Sequence, residues 1–305
     1  MNKKAIIDVG SNSIKFFLGT LALDGTVQTV LDENDIVRLG EGLRETGVIS
    51  PEAMQRNSEA IVRFAAKARE NGADEIICVG TMALRNAKNT DEFVKLVKET
   101  SGVDLRVIPG DEEARLSYLA VLSALPLQGG KLAIFDTGGG STEFVFGEGN
   151  EVSKRFSVDL GAIRITEKYF TKDPVSKSDV TAAIAEIDDI FNENGVTGNI
   201  VQLVGMGGTV TTMGAVKHKM VTYDPDVIQG STLTLTDVEE QIETYSSKTI
   251  EQRKEIPGLQ PKRADVILAG ACILKVIINR LNVSALTISD RGLRHGLAYD
   301  LFTNK

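Results

Sequence analysis

Residues 134–149 read IFDTGGGSTEFVFGEG, so three consecutive glycines separate two apolar runs. A tight hairpin between two strands needs only one glycine at positive φ. Each further glycine costs about 0.5–1 kcal/mol relative to alanine. A loop that brings its backbone N–H groups against a bulky anion does need glycines, because Cβ atoms would block the approach. The segment therefore predicts an anion-binding loop, in which Ser141 and Thr142 add hydroxyl donors; the alternative is a simple hairpin.

Two acidic residues, Asp136 and Glu143, frame this loop. Carboxylates beside a polyanion would repel it unless a cation lay between them. An aspartate at the end of a strand is well suited to hold Mg²⁺, directly or through water. We therefore expect a divalent metal site here, and the alternative is a pair of solvated turn acids.

The sequence around the loop is repeated. AIIDVGSNSIKFFLG at 5–19 matches AIFDTGGGSTEFVFG at 133–147, and each copy continues into a further predicted strand, near 26–32 and 151–157. A third glycine turn, LVGMGGTVTTM at 203–213, separates a predicted strand from a predicted helix. The pattern predicts an α/β protein with two similar halves that are joined near 124–131.

The loop belongs to neither of the two common phosphate-binding patterns. No Gly-Lys-Ser/Thr follows it, as a Walker A loop requires, and a strand rather than a helix comes next, which excludes the dinucleotide fingerprint. A strand–loop–strand phosphate clamp that occurs twice points to two similar actin-like ATPase and sugar-kinase (ribonuclease H-like) domains with an interdomain cleft. We expect domains at 1–125 and 126–305, with the last helix, about 290–305, packing back on the N-terminal domain.

Charge and hydropathy narrow the class of protein. The chain has 305 residues, 34 basic and 42 acidic, for a net charge of −8. An acidic chain is a poor candidate for non-specific nucleic-acid binding, and no apolar stretch approaches the roughly 20 residues of a membrane span. Its cysteines, Cys78 and Cys272, lie in apolar segments that predict buried, reduced thiols. We expect a soluble, cytoplasmic protein that binds neither nucleic acid nor membrane.

Glu112 and Glu113 stand in the segment PGDEEARLSYL (109–119), where Asp111 is predicted to cap a helix. Carboxylates in the first turn of a helix are favoured by the helix dipole. From the residues alone, these acids are as consistent with an ordinary helix start as with a catalytic role.

Motifs across nearly the whole chain resemble those of the exopolyphosphatase and guanosine pentaphosphate phosphatase family, in its short two-domain form. The matching runs are DVGSNSIK (8–15), GTMALRNAKN (80–89), DEEARLSYL (111–119), DTGGGSTE (136–143), GMGGTVTT (205–212), KRADVILAG (262–270) and SDRGLRHGLAYDL (289–301). In the last run, His295 stands where members of the family often carry Glu, and no role is assigned to it.

The resemblance implies a reaction and a set of residues. The expected reaction is hydrolysis of terminal phosphoanhydride bonds in inorganic polyphosphate, or of the 5′-γ phosphate of guanosine pentaphosphate, with Mg²⁺ or another divalent cation. Glu113 would activate the attacking water, and Glu143 would help to position that water or the metal. The metal would be held by Asp136, Glu143 and Asp8. Phosphate and substrate contacts would come from Ser11, Asn12, Ser13, Lys15, Arg85, Gly138, Gly139, Gly140, Ser141, Thr142, Gly207, Gly208, Thr209 and Arg263.

Two other functions remain open at this stage. A kinase or ATPase of the same fold would need an acceptor pocket and an adenosine site, and GMGGTVTT could contact a nucleoside. The other is a non-catalytic sensor that binds guanosine tetraphosphate or pentaphosphate. The family also suggests a homodimer.

Overall fold

A computed structural model describes residues 3–23, 25–126 and 128–303, with the side chains of residues 44 and 45 left out. The chain divides into two compact units. The first comprises Met1–Ser123 together with Leu293–Lys305, and the second comprises Ala124–Gly292.

In the first unit, the described residues form a five-stranded mixed sheet with the strand order β3-β2-β1-β4-β5. The strands β1, β2 and β3 pair antiparallel, whereas β4 and β5 continue from β1 in parallel. The strands are β1 Lys3–Val9, β2 Ile14–Leu21, β3 Val27–Asp35, β4 Glu75–Gly80 and β5 Leu105–Val107. The helices of this unit are α1 Leu43–Thr46, α2 Pro51–Glu70, α3 Met82–Asn86, α4 Thr90–Ser101, α5 Gly110–Leu122 and, from the end of the chain, α13 Leu293–Thr303.

In the second unit, the described residues form a six-stranded sheet with the order β10-β11-β9-β6-β7-β8. Its strands are β6 Lys131–Thr137, β7 Thr142–Glu148, β8 Glu151–Val158, β9 Gln202–Met206, β10 Thr232–Thr234 and β11 Ala285–Ile288. Its helices are α6 Ala162–Tyr169, α7 Lys177–Glu193, α8 Gly207–Lys217, α9 Pro225–Ile228, α10 Leu235–Ser246, α11 Ile250–Lys254 and α12 Ile267–Arg280, with a 3₁₀ turn at Pro261–Arg263.

The two sheets share their topology in detail. β6, β7, β8, β9 and β11 take the places that β1, β2, β3, β4 and β5 occupy in the first sheet. Asp8 is the register partner of Lys15, and Asp136, 128 positions later, is the partner of Glu143. Both sheets also shift register at equivalent points, after Leu18 and after Phe146. The predicted α/β class with two similar halves is confirmed.

Helices cover both faces of the first sheet. On one face, α2 and α4 pack over a core that includes Ile7, Phe16 and Phe93. On the other face, α5 and α13 cover Ile6 and Phe17. Gly296 allows these two helices to approach closely, because a Cβ there would overlap the Leu116 carbonyl.

Helix ends follow local chemistry. Ser50 caps α2 by accepting a hydrogen bond from the Ala53 N–H at 3.1 Å, and Pro51 occupies the first turn, where its missing N–H costs nothing. The prediction that Asp111 caps α5 is wrong: the helix begins one residue earlier, at Gly110, so that Asp111 lies in its first turn.

Both cysteines are free and buried, as predicted. Among the described helices, none is long and apolar enough to cross a membrane.

Candidate active site

The two glycine-containing loops share a backbone hydrogen-bond pattern. The Gly10 N–H donates to the Ser13 carbonyl at 3.1 Å, and the Gly138 N–H donates to the Ser141 carbonyl at 2.9 Å. In each loop the next three N–H groups donate no hydrogen bond to any residue that the structure describes; they belong to residues 11–13 and 139–141. Successive N–H groups of this kind form a concavity that binds anions.

The glycines at 138 and 140 are not required by the backbone conformation. Neither has a φ in the left-handed region. A Cβ on Gly140 would meet no atom within 4 Å, and one on Gly138 would lie 3.6 Å from the nearest atom, the Ser141 carbonyl oxygen. Neither backbone conformation nor packing within the unit therefore requires glycine at these two positions. An approaching ligand would provide one.

Other parts of the second loop are firmly anchored. The Gly138 and Gly139 carbonyls accept hydrogen bonds from the first N–H groups of α6, at 3.0 and 2.9 Å. Thr142 is buried, and its hydroxyl donates to the Leu160 carbonyl at 2.7 Å. Thr209 is also buried, and its hydroxyl donates to the Thr137 carbonyl at 3.1 Å. Both hydroxyls thus hold the loop in place, and their predicted contact with phosphate stays a prediction.

Asp136 and Glu143 are directly opposite each other on β6 and β7. Cross-strand partners project from the same face of a sheet, and like charges in this position are unfavourable. Ser157 donates to Glu143 at 3.0 Å. Arg263 lies near Asp136, and its positive charge offsets the negative charge of that carboxylate. Burial lowers the pKa of Arg263, and the charge of Asp136 only partly opposes this shift.

The donor set of this pair fits Mg²⁺. Mg²⁺ commonly takes one or two carboxylates and completes its octahedral shell with water and phosphate oxygens. The residues that the structure describes contain no group of three or more His, Cys, Asp or Glu side chains that could hold an ion by themselves, so the remaining ligands would have to be water and substrate. Glycine at positions 207 and 208 leaves room for the side chains of Asp136 and Arg263, since Cβ atoms there would collide with them.

Asp8, the counterpart of Asp136 in the first unit, lies in different surroundings. It is 5% exposed, and its cross-strand partner is a cation, Lys15, instead of an acid. Burial raises the pKa of Asp8, while the charges of Lys15 and Arg294 oppose that shift. Lys15 forms no ion pair with any described residue, so its ammonium group is available to an anion.

The structure distinguishes the two neighbouring glutamates of α5. Glu112 forms a two-pronged pair with Arg106, at 2.8 and 2.9 Å. Glu113 forms an ion pair with Arg85 at 2.7 Å, and Arg85 also donates to the Ile108 carbonyl at 2.9 Å. Glu112 is therefore engaged in a structural pair that links α5 to β5, whereas Glu113 faces the Asp8 side.

Glu113 has a perturbed acidity. Burial raises its pKa; Arg85 opposes this through a hydrogen bond and its charge, the Asp8 carboxylate adds to the rise, and Lys15 opposes it. The structure thus brings together four of the residues that the sequence predicts: Asp8, Lys15, Arg85 and Glu113. A carboxylate with a raised pKa is a better proton acceptor than an ordinary glutamate.

One charged group beside this cluster was missed by the sequence analysis. Arg294 donates through Nε to Asp32 Oδ1 at 2.7 Å, and His295 Nε2 lies 2.8 Å from Asp32 Oδ2. The motif SDRGLRHG was recognised, but nothing in the sequence connects it with an aspartate about 260 residues earlier.

A family model described as "Ppx/GppA phosphatase family" matches residues 22–305. The chain belongs to the Ppx/GppA phosphatase family. It is 32% identical over 317 residues to Exopolyphosphatase 2 of Mycobacterium tuberculosis, covering 99% of each chain. It is also 32% identical over 307 residues to the guanosine-5′-triphosphate,3′-diphosphate pyrophosphatase of Photobacterium profundum, covering 98% of this chain and 59% of that protein. The chain spans about half the length of several other curated relatives that it matches.

Among solved structures, the Ppx/GppA family member of Aquifex aeolicus superposes with a TM-score of 0.89 at 30% identity, covering 99% of this chain and 98% of that one. The predicted resemblance and the actin-like ATPase fold are therefore confirmed.

Proposed function

We propose that this Ppx/GppA family member hydrolyses terminal phosphoanhydride bonds of inorganic polyphosphate, of the 5′-γ phosphate of guanosine pentaphosphate, or of both. The observation that carries the proposal is the environment of Glu113. Its carboxylate is held by Arg85, its pKa is raised, and it belongs to a cluster with the anion-binding turn that follows Asp8. A carboxylate directed at water suits a hydrolase, whereas a kinase must keep water away from the transferring phosphoryl group.

Glu113 would orient a water molecule and accept its proton. Phosphoanhydride hydrolysis passes through a loose transition state, in which positioning and charge neutralisation carry most of the catalysis. A water in line behind the terminal phosphorus therefore needs a carboxylate within hydrogen-bond reach rather than a strong base. Arg85 would fix the rotamer of Glu113 and oppose the rise in its pKa that burial causes.

The two loops would hold phosphate oxygens through their unbonded N–H groups, at residues 11–13 and 139–141. Lys15 would add a positive charge in the first unit, and Arg263 would add one in the second. Asp136 and Glu143 are the residues of the second unit that would hold a divalent cation. When bound, that cation would neutralise charge on the phosphate oxygens and on the leaving group.

Polyphosphate is the first substrate to test. The relative that matches over its full length is named an exopolyphosphatase, whereas the pyrophosphatase relative is longer than the region that this chain covers. The two loops are suited to phosphate groups and would accept a simple phosphate chain.

The test is a phosphate-release assay with Mg²⁺ and three substrates: polyphosphate of defined length, guanosine pentaphosphate and ATP. We expect release from the first or second, and at most slow release from ATP. Phosphate release from ATP alone, or transfer to an added acceptor, would favour a kinase or ATPase. Tight binding of guanosine pentaphosphate without release of phosphate would favour a sensor.

Glu113→Gln tests the catalytic assignment, and Glu112→Gln is its matched control on the same helix turn. Loss of the carboxylate charge at 113 should lower kcat by roughly 10²–10⁴-fold with little change in KM. Glu112→Gln removes only the pair with Arg106 and should change kcat by less than about threefold. A kcat for Glu113→Gln close to that of the control would show that the assignment is wrong.

A further inference from the structure

α13 carries a charged network onto the face of the first sheet that holds Asp8. Ile6 and Phe17 are cross-strand partners on that face, beneath α5 and α13. Side chains two residues apart in a strand share a face, so Asp8 and Lys15 lie on the same face, nearer the glycine turn. Asp32 is the partner of Phe17 in the next strand and also projects from this face.

Asp32 is fully engaged by two consecutive residues of α13. Arg294 bonds one carboxylate oxygen at 2.7 Å, and His295 lies 2.8 Å from the other. His295 is buried, and its ring packs edge-on against Phe17 with the centroids 5.3 Å apart. Burial would raise the pKa of Asp32, but the bond from His295 and the charge and bond of Arg294 hold it below its ordinary value. Asp32 is therefore a fixed anion.

Only one edge of the Arg294 guanidinium is used by this contact. Its side chain is 12% exposed, and its Nη groups donate no hydrogen bond to any residue within the described ranges. They are absent from the buried polar atoms that lack a partner, so they reach solvent. Asp8 feels the charge of Arg294 as well as that of Lys15. A guanidinium held at one edge, with two free Nη groups, is well suited to bind an anion.

We propose that Arg294 is a further phosphate-binding residue of the first unit, acting beside Lys15, and that Asp32 and His295 are positioning residues that fix its guanidinium. Two cations, Lys15 and Arg294, lie near the Asp8 carboxylate. Each keeps N–H donors that no described residue uses, so together they would attract a phosphate oxygen. The inference rests on the proposed function for the identity of the ligand, since the phosphate would be part of the substrate.

Lys15 and Arg294 would bind phosphate in different ways because their side chains differ in rigidity. Lysine alone would bind as a point charge on a flexible stem, whereas an arginine held through Nε presents its Nη pair in one orientation. His295 prevents Asp32 from turning away, because it occupies the second oxygen of that carboxylate. Without His295, Asp32 could rotate, and Arg294 would lose its fixed direction while keeping its charge.

The test measures binding of inorganic phosphate by calorimetry, with and without Mg²⁺, so that it does not depend on turnover. Arg294→Gln should weaken phosphate binding by about tenfold or more, the loss typical of one charge-assisted hydrogen bond. His295→Leu should weaken it by a smaller factor, and His295→Gln, whose amide can still donate to Asp32, should restore it. Arg115→Gln is the matched control, because Arg115 likewise forms an ion pair that involves α13, with Asp300 at 2.8 and 2.9 Å, but on an exposed surface.

Two outcomes would overturn the inference. One is phosphate binding by folded Arg294→Gln within twofold of the Arg115→Gln control. The other is equal weakening by His295→Leu and His295→Gln, which would indicate a general packing defect. If Arg294→Gln unfolds, Arg294→Lys replaces it: it keeps the charge but loses the fork, and binding equal to wild type would count against the proposal. Phosphate release by the wild-type protein is measured separately. If the protein binds phosphate through Arg294 but hydrolyses neither proposed substrate, only the proposed function is refuted.

Discussion

Gly140→Ala should stabilise the fold and at the same time impair phosphate binding. A Cβ at this position meets no atom within 4 Å, and the residue does not lie in the left-handed region. Replacing glycine by alanine where the native conformation accepts it stabilises a protein by about 0.4–1 kcal/mol, mainly by restricting the unfolded chain. We therefore expect a slightly higher urea midpoint for Gly140→Ala than for wild type.

Binding should change in the opposite direction. The N–H groups of residues 139–141 donate to no described residue, and a methyl group at 140 would stand where an anion must approach them. Loss of one charge-assisted hydrogen bond costs about 1.5–3 kcal/mol, which corresponds to about 10–100-fold weaker phosphate binding. Calorimetry with inorganic phosphate and urea unfolding on the same preparation measure both effects.

Gly161→Ala provides the contrast. A Cβ at 161 would overlap the backbone of Gly139, so this variant should lose stability because the loop must move. The reasoning is refuted if Gly140→Ala gains stability and still binds phosphate within twofold of wild type. In that case the glycines of this loop do not serve the approach of a ligand.

Three further predictions concern charge. Arg85 holds the pKa of Glu113 down against burial, so in Arg85→Gln that pKa should rise further and the acid limb of the kcat/KM–pH profile should move to higher pH; an unmoved limb would assign the limb to another group. Added Mg²⁺ should raise the Tm of wild type through binding to the native state, and raise it less for Asp136→Asn; equal shifts would remove Asp136 from the metal site. Asp32 has a lowered pKa, so its contribution to stability is present above the unfolded value of about 3.9 and is lost as pH falls through the folded value. The difference in unfolding free energy between wild type and Asp32→Asn should therefore shrink in urea titrations below about pH 4, and a difference independent of pH would contradict the assignment.

The sequence by itself determined the fold and the two glycine-containing loops of the candidate site. The repeat that relates residues 5–19 to residues 133–147 predicts two equivalent strand–loop–strand units, since a side-chain period of two and a glycine turn are local properties. The register pairs Asp8–Lys15 and Asp136–Glu143 follow from the same local pattern, because a short hairpin fixes which residues lie opposite each other.

The tertiary structure alone decided which charged groups meet. Glu112 and Glu113 are indistinguishable in sequence, and only the placement of Arg106 and Arg85 around α5 gives one a structural pair and the other a place in the cluster. The contact of Arg294 with Asp32 joins the last helix to the third strand. Such contacts depend on how a helix docks on a sheet, which is set by the packing of many apolar side chains along the whole chain. No local sequence pattern near Arg294 or Asp32 predicts their contact.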